Sequence, residues 1–225
     1  MTKNVNPALT RAALNRLTDQ LGSAATAAED LPRVIDVLLD FTPPTIDGKL
    51  ADCVLAVAFG NRPNPAGSGS APIPGPINVA IADAVLEVVM GRRLTVYAQA
   101  EVADVLADRG MTSPQLVRIA PPVLGANGAY TSPSLDAVVA AAVAAGARGK
   151  VAVVTHRDLA KHAVLRASAK GLDAGGVSDL ALPAAYDPQA AAPVQRRRDL
   201  FLLQDLALQL GDLRLGLIAA RYPNG

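Results

Sequence analysis

The sequence predicts an α/β domain: a doubly wound, mostly parallel sheet of about five strands with helices on both faces, preceded by two N-terminal helices. Three observations lead there. The segment 52–59 (DCVLAVAF) is an apolar run of the kind found in strands covered on both faces. Short apolar runs recur after it and alternate with stretches of helical spacing. Glycine and proline punctuate the joins between them.

The first helix is expected at 7–21, where Leu9, Ala12, Leu14, Leu17 and Leu21 recur at helical spacing. Pro7 suits its first turn and Gly22 the position past its end. A second helix is expected at 31–39, with Pro32 near its start and Pro43 and Pro44 forbidding its continuation. Strands follow at 52–59, 94–98, 116–119, 151–154 and 179–182. Between and after them, helices are expected at about 76–91, 100–109, 133–146, 157–170 and 195–211. Strand–helix–strand units with right-handed crossovers make this a Rossmann-like arrangement. Residues 1–48 are expected to form a helical segment packing on the main domain, and 49–225 the α/β domain itself.

Composition narrows the function classes. The 225 residues carry 21 basic and 20 acidic side chains, net charge +1, so the basic footprint of a nucleic-acid binder is missing. Cys53 is the single cysteine, which excludes an intramolecular disulfide and a thiolate metal cluster. Inside the run 53–57 it reads as a small buried side chain. The N-terminal stretch bears Lys3, Arg11, Arg16 and Asp19 and no apolar core, unlike a signal peptide. The uncharged stretch 138–147 is too short to span a bilayer. A cytoplasmic protein without membrane or nucleic-acid partners is expected. Abundant alanine with 3% aromatic residues fits the bias of a high-GC bacterial genome.

In open parallel sheets the ligand crevice lies beyond the carboxyl ends of the strands, where the strand order reverses. Three segments fall at such ends. The loop 60–76 holds four glycines and five prolines in 17 residues. Its Gly60, Asn61, Gly67, Ser68 and Gly69 offer backbone N–H groups and polar side chains suited to cradling an anion, without a GxGxxG or Walker A pattern. The segment Thr155, His156, Arg157, Asp158 opens a helix directly after a strand. Thr155 and Asp158 have capping-box spacing, the helix N-terminus favours anions, Arg157 adds a positive fork and His156 a titratable group. The third segment, 125–136, carries the turn signal Asn127-Gly128 and then Tyr130, Thr131, Ser134 and Asp136, polar groups within reach of the crevice. His162 lies roughly 240° around the helix from His156, so the two do not form an i, i+4 metal pair. Arg196, Arg197 and Arg198 read as the solvated start of the last helix.

In this order the elements resemble the YdcF-like domain family, which includes SanA and ElyC, over about residues 50–215. Val54 to Gly60 (VLAVAFG) is similar to the family's first strand and glycine. The segment from Ser132 to Asp136 sits where the family has a polar segment with glutamate, with Asp136 in its place. Val153, Val154 and Thr155, continuing through Lys161, His162, Ala163 and Gly171, follow the family's last strand, turn and helix. The chain departs where Ala98 and Gln99 replace the usual glycine pair, and where Leu159 stands near the position of the family's histidine. The family's arginine falls near Lys161 or His162. The resemblance implies a small-molecule site, with S-adenosylmethionine as ligand in one branch.

The expected function is therefore a small-molecule binding protein or enzyme with an anionic or nucleotide-like ligand at the strand ends. Two alternatives stand beside it. One is an interaction protein with a vestigial crevice and a homo-oligomeric surface. The other is a metabolite-tailoring enzyme with His156 as general base and Asp158 or Asp136 as the second group.

Overall fold

In the computed structural model, which describes residues 7–21, 24–67, 69–126 and 128–223, helices and strands alternate as a doubly wound fold requires. The chain opens with α1 (Pro7–Leu21) and α2 (Ala24–Leu39), then β1 (Thr45–Ile46), β2 (Cys53–Ala56) and α3 (Pro76–Val89). It continues through β3 (Thr95–Gln99), α4 (Ala100–Asp108), β4 (Leu116–Ile119), β5 (Val123–Leu124) and β6 (Tyr130–Thr131). Last come α5 (Leu135–Ala144), β7 (Lys150–Val154), α6 (Arg157–Ala169), β8 (Asp173–Val177) and α7 (Arg198–Arg221).

Six strands form one parallel sheet in the order β1-β8-β7-β2-β3-β4, and β5 with β6 forms a separate antiparallel pair. From β2 the chain steps outward to β3 and β4, returns across β2 to β7, and steps outward again to β8. The direction of winding thus reverses between β2 and β7. Right-handed crossovers in opposite directions put α3 and α4, which pack together, on one face, and α5 and α6 on the other. Every residue of β2 is buried, as the apolar run requires, with Leu55 in register with Tyr97 on one side and Val153 on the other. The Cys53 thiol is buried and donates to the Arg148 carbonyl at 3.6 Å. Cys53 is a core side chain, and burial raises its pKa.

Several boundaries differ from expectation. The fifth strand lies at Asp173–Val177, not at 179–182, where Asp179 takes a left-handed conformation with φ +65°. Its sequence, DAGGV, has the glycines that strand propensity disfavours. They are needed there: a Cβ on Gly175 would lie 2.6 Å from Ile46 Cγ2, because β1 pairs closely alongside. Helix α2 begins at Ala24 and carries Pro32 in its interior, since the alanine-rich lead 24–28 has helix propensity of its own. Helix α7 starts at Arg198 and continues to Arg221, ten residues past 211.

The chain forms two compact units. One, 43–201, contains the whole sheet. The other joins 1–42 to 202–225, with α1 packed on α2 and an ion pair of 3.3 Å from Arg221 to Asp30. Among the described residues, no helix is long and apolar enough to cross a membrane.

Candidate functional site

Four segments leave the carboxyl edge of the sheet around its switch point: residues 57–75 after β2, 99–101 after β3, 155–158 after β7 and 178–197 after β8. Side-chain amides hold the first of these to its neighbours. The Ala58 N–H donates to Gln99 Oε1 at 3.0 Å and the Phe59 N–H to Asn78 Oδ1 at 2.9 Å. Asn78 Nδ2 donates to Asn61 Oδ1 at 2.7 Å, and Asn61 Nδ2 to Glu101 Oε1 at 2.5 Å. Gly60 (φ +72°) and Gly75 meet beside this chain of amides. A Cβ on Gly75 would fall 2.0 Å from the Gly60 carbonyl oxygen, so only glycine allows the loop to return to the start of α3.

Glu101 ends the amide chain in the first turn of α4, 1% exposed, and its Oε2 is buried without a partner. Burial pushes its carboxyl above the usual range, while its own backbone N–H and Asn61 pull the other way. A buried carboxyl with an orphan oxygen calls for a proton, a water or a ligand.

At the start of α6 the cap lies one residue later than the Thr155–Asp158 pairing predicts. His156 is the N-cap: its Nδ1 accepts the Asp158 N–H at 3.3 Å. That bond leaves the ring proton on Nε2, which faces the Ala185 carbonyl at 3.1 Å. Thr155 is fully buried and donates to the Val57 carbonyl at 2.9 Å, tying β7 to β2. The His156 ring is also fully buried, stacked on Phe59 with centroids 4.1 Å apart, and Tyr186 and Phe201 meet these rings edge-on. Burial lowers its pKa, the Asp158 charge notwithstanding. We therefore expect the nitrogen-15 spectrum of His156 to show the neutral Nε2–H tautomer, with titration only below the ordinary histidine range near 6.5. A ring that protonates at or above that value would mean that the 178–197 segment does not cover it in solution.

That segment lies over the switch point as a strap. Three consecutive residues after β2 hold it. The Gly60 N–H donates to Gln195 Oε1 at 3.0 Å, the Asn61 carbonyl accepts the Ala191 N–H at 2.6 Å, and Arg62 pairs with Asp187 at 2.7 Å. Across the crevice, the Pro183 carbonyl accepts the Arg157 N–H at 2.8 Å, and Tyr186 donates to Asp158 at 2.8 Å. Asp158 also takes Arg198 at 2.8 Å and Arg157 at 3.4 Å. Burial raises the Asp158 carboxyl, but Arg198 and Tyr186 outweigh it and hold the group below the usual aspartate range.

The expected site residues thus divide. Gly60, Asn61, Thr155, His156, Arg157 and Asp158 gather around the switch point, with all but Arg157 buried. Gly67 and Gly69 are exposed farther along the loop, and Ser68 lies outside the described residues, as does Asn127 of the turn signal. Thr131 is exposed in β6. Ser134 caps α5, accepting the Ala137 N–H at 3.2 Å. Asp136 is engaged by Arg166 of α6 at 3.1 Å and by Lys170, the C-cap of that helix, at 3.3 Å, an anchor between helices. Sequence reasoning missed Asn78, Gln99, Glu101 and the strap residues Tyr186, Asp187 and Gln195. Gln99 and Glu101 carried a readable signal: polar residues where an apolar strand passes into a helix. Arg198, expected as a solvated helix start, pairs with the buried Asp158. No protein-family model matches the chain, and neither does any curated protein or solved structure.

Proposed function

We propose that the chain is a cytoplasmic small-molecule binding protein or enzyme of the YdcF-like type, with an anionic or nucleotide-like ligand at the carboxyl ends of the strands. S-adenosylmethionine is the ligand that the family resemblance suggests. The observation that carries this reading is the convergence of five buried polar side chains, Asn61, Gln99, Glu101, Thr155 and His156, on the ends of β2, β3 and β7. Buried polar groups are costly in a core and collect where a site needs them. The Glu101 Oε2 atom suits a hydroxyl or amine donor of the ligand. The side chains of Arg62, Arg157 and Arg198 are 38%, 54% and 53% exposed around the same crevice, while their partners Asp158 and Asp187 are buried, so positive charge faces outward. A ligand with an anion at one end and donors at the other, as in a nucleotide or S-adenosylmethionine, suits both features.

The test is a thermal-shift series with nucleotides, S-adenosylmethionine, its demethylated product and sugar phosphates. A ligand at about 100 times its Kd stabilises the native state by about 2.7 kcal/mol. Arg157→Ala should weaken binding about tenfold or more with little loss of stability, because its side chain is half exposed. Equal affinity in variant and parent would remove the start of α6 from the site.

A second reading, an interaction protein with a vestigial crevice, draws on α7, where Leu203, Leu208, Leu215 and Ile218 are exposed. It is favoured if no compound shifts the melting point and light scattering gives the mass of a homo-oligomer. General-base catalysis by His156 requires the strap to release its ring, since both nitrogens are engaged in the closed arrangement.

A further inference from the structure

We infer that the hollow between the 62–73 loop and the β5–β6 hairpin is a binding subsite for the neutral planar ring of a small molecule, such as the base of a nucleoside. The hollow is an open surface cleft of about 400 Å³, within the volume range of small-molecule sites. Pro63, Asn64, Gly67, Ser70 and Pro72 line one wall, and Tyr130 stands on the other. Among the described residues no charged side chain lines it, so an ionic group would find no counter-charge there and a neutral one is favoured. Two pyrrolidine rings and a phenol present flat apolar surfaces, the shape that a planar ring stacks against.

Both walls are held in place before any ligand arrives. Arg62 and Ile73 exchange backbone hydrogen bonds at 2.9 and 3.0 Å. Inside the loop, Asn64 Nδ2 donates to the Ala71 carbonyl at 2.8 Å and Asn64 Oδ1 accepts the Ala66 N–H at 3.0 Å. The Gly67 N–H donates to the Asn64 carbonyl at 3.0 Å and the Ser70 N–H to the Gly67 carbonyl at 3.1 Å. Opposite, Leu124 pairs with Tyr130, and the Gly125 N–H donates to the Ala129 carbonyl at 2.9 Å. The glycine- and proline-rich stretch is braced along this wall, and bracing lowers the ordering cost of binding. Asn64 spends its amide on its own loop, which leaves the Ser70 and Tyr130 hydroxyls as the groups to read the edge of a ring.

The hollow starts one residue beyond Arg62, the arginine that faces the strapped crevice. A ligand with its ring in the hollow and its anion toward Arg62 would use both. That placement rests on the function proposed above, whereas the ring subsite stands on its own geometry.

The test uses adenosine, S-adenosylmethionine and ribose 5-phosphate as probes, read by amide chemical shifts and by affinity. Adenosine and S-adenosylmethionine should shift the amides of residues 64–71 and 129–131, which line or flank the hollow, and ribose 5-phosphate should not. Tyr130→Ala should weaken adenosine about tenfold or more, as loss of an aromatic–base stack does, and Tyr130→Phe should retain most of the affinity. Should Tyr130→Ala disturb the hairpin itself, Ser70→Trp fills the hollow from the opposite wall and should block adenosine as well. Ribose 5-phosphate binding with no adenosine response at the hollow would overturn the ring subsite and leave the anion-binding reading standing. S-adenosylmethionine bound at the hollow with equal affinity in Arg157→Ala and the parent would do the reverse. No amide shift with either ring-bearing probe would overturn the inference.

Discussion

Replacing Phe59 with alanine should destabilise the sheet unit by about 3–5 kcal/mol, the cost of emptying a large aromatic site in a close-packed interior. Phe59 is 1% exposed and lies three residues past the end of the central strand β2. Its ring stacks on His156 at 4.1 Å and meets Phe201 at 4.9 Å and Tyr186 at 5.6 Å, both nearly perpendicular. Alanine removes the transfer free energy of the ring, the aromatic contacts and the platform on which His156 rests. His156 in turn caps α6 and holds the strap through Ala185, so neighbours cannot collapse into the gap without breaking polar contacts. Urea unfolding followed by circular dichroism should show a lower midpoint at unchanged slope. A loss below about 1 kcal/mol would mean a cluster loose enough to close around the gap.

Glu101→Gln should move stability the other way. The folded-state pKa of Glu101 is raised, chiefly by burial. A raised folded pKa means that the native state holds the proton more tightly than the unfolded chain. The stability this contributes is fully present below the unfolded value near 4.3 and is lost as pH rises through the folded value. Above the folded value the parent carries the cost of a buried charge with one unpartnered oxygen, and there Glu101→Gln is expected to be more stable by about 1–3 kcal/mol. The advantage should shrink on acidification toward pH 4. If Glu101 reads the ligand, the same substitution weakens binding while it raises the melting point, the opposed changes typical of a site residue. Equal stability of variant and parent across this range would show that the orphan oxygen is satisfied by water, and would return Glu101 to a structural role.

Most of the fold was legible because its signals are local. The β2 run, the β3, β4 and β7 runs and the helices between them are spelled by periodicity within windows of about ten residues. The missed strand β8 shows the limit: Gly175 and Gly176 lower strand propensity, and the reason for Gly175 is the close approach of β1, about 130 residues earlier in the chain. Half of the candidate site was legible for the same reason. Gly60, Asn61 and the 155–158 segment sit at strand ends that the alternation of elements predicts. The closed strap was not legible, because its partners Arg62, Asp158 and Gly60 are up to 135 residues away.

By itself, the sequence determined the parallel sheet with helices on both faces and the edge of that sheet where polar residues gather, since pattern and turn chemistry act over a few residues. Only the tertiary structure decided which of those residues face the crevice and which are consumed in bracing it. His156 became a buried cap, Asp136 an anchor between helices and Glu101 an orphaned carboxyl. Burial and the pairing of distant groups set these roles, and neither is encoded in the spacing of neighbours along the chain.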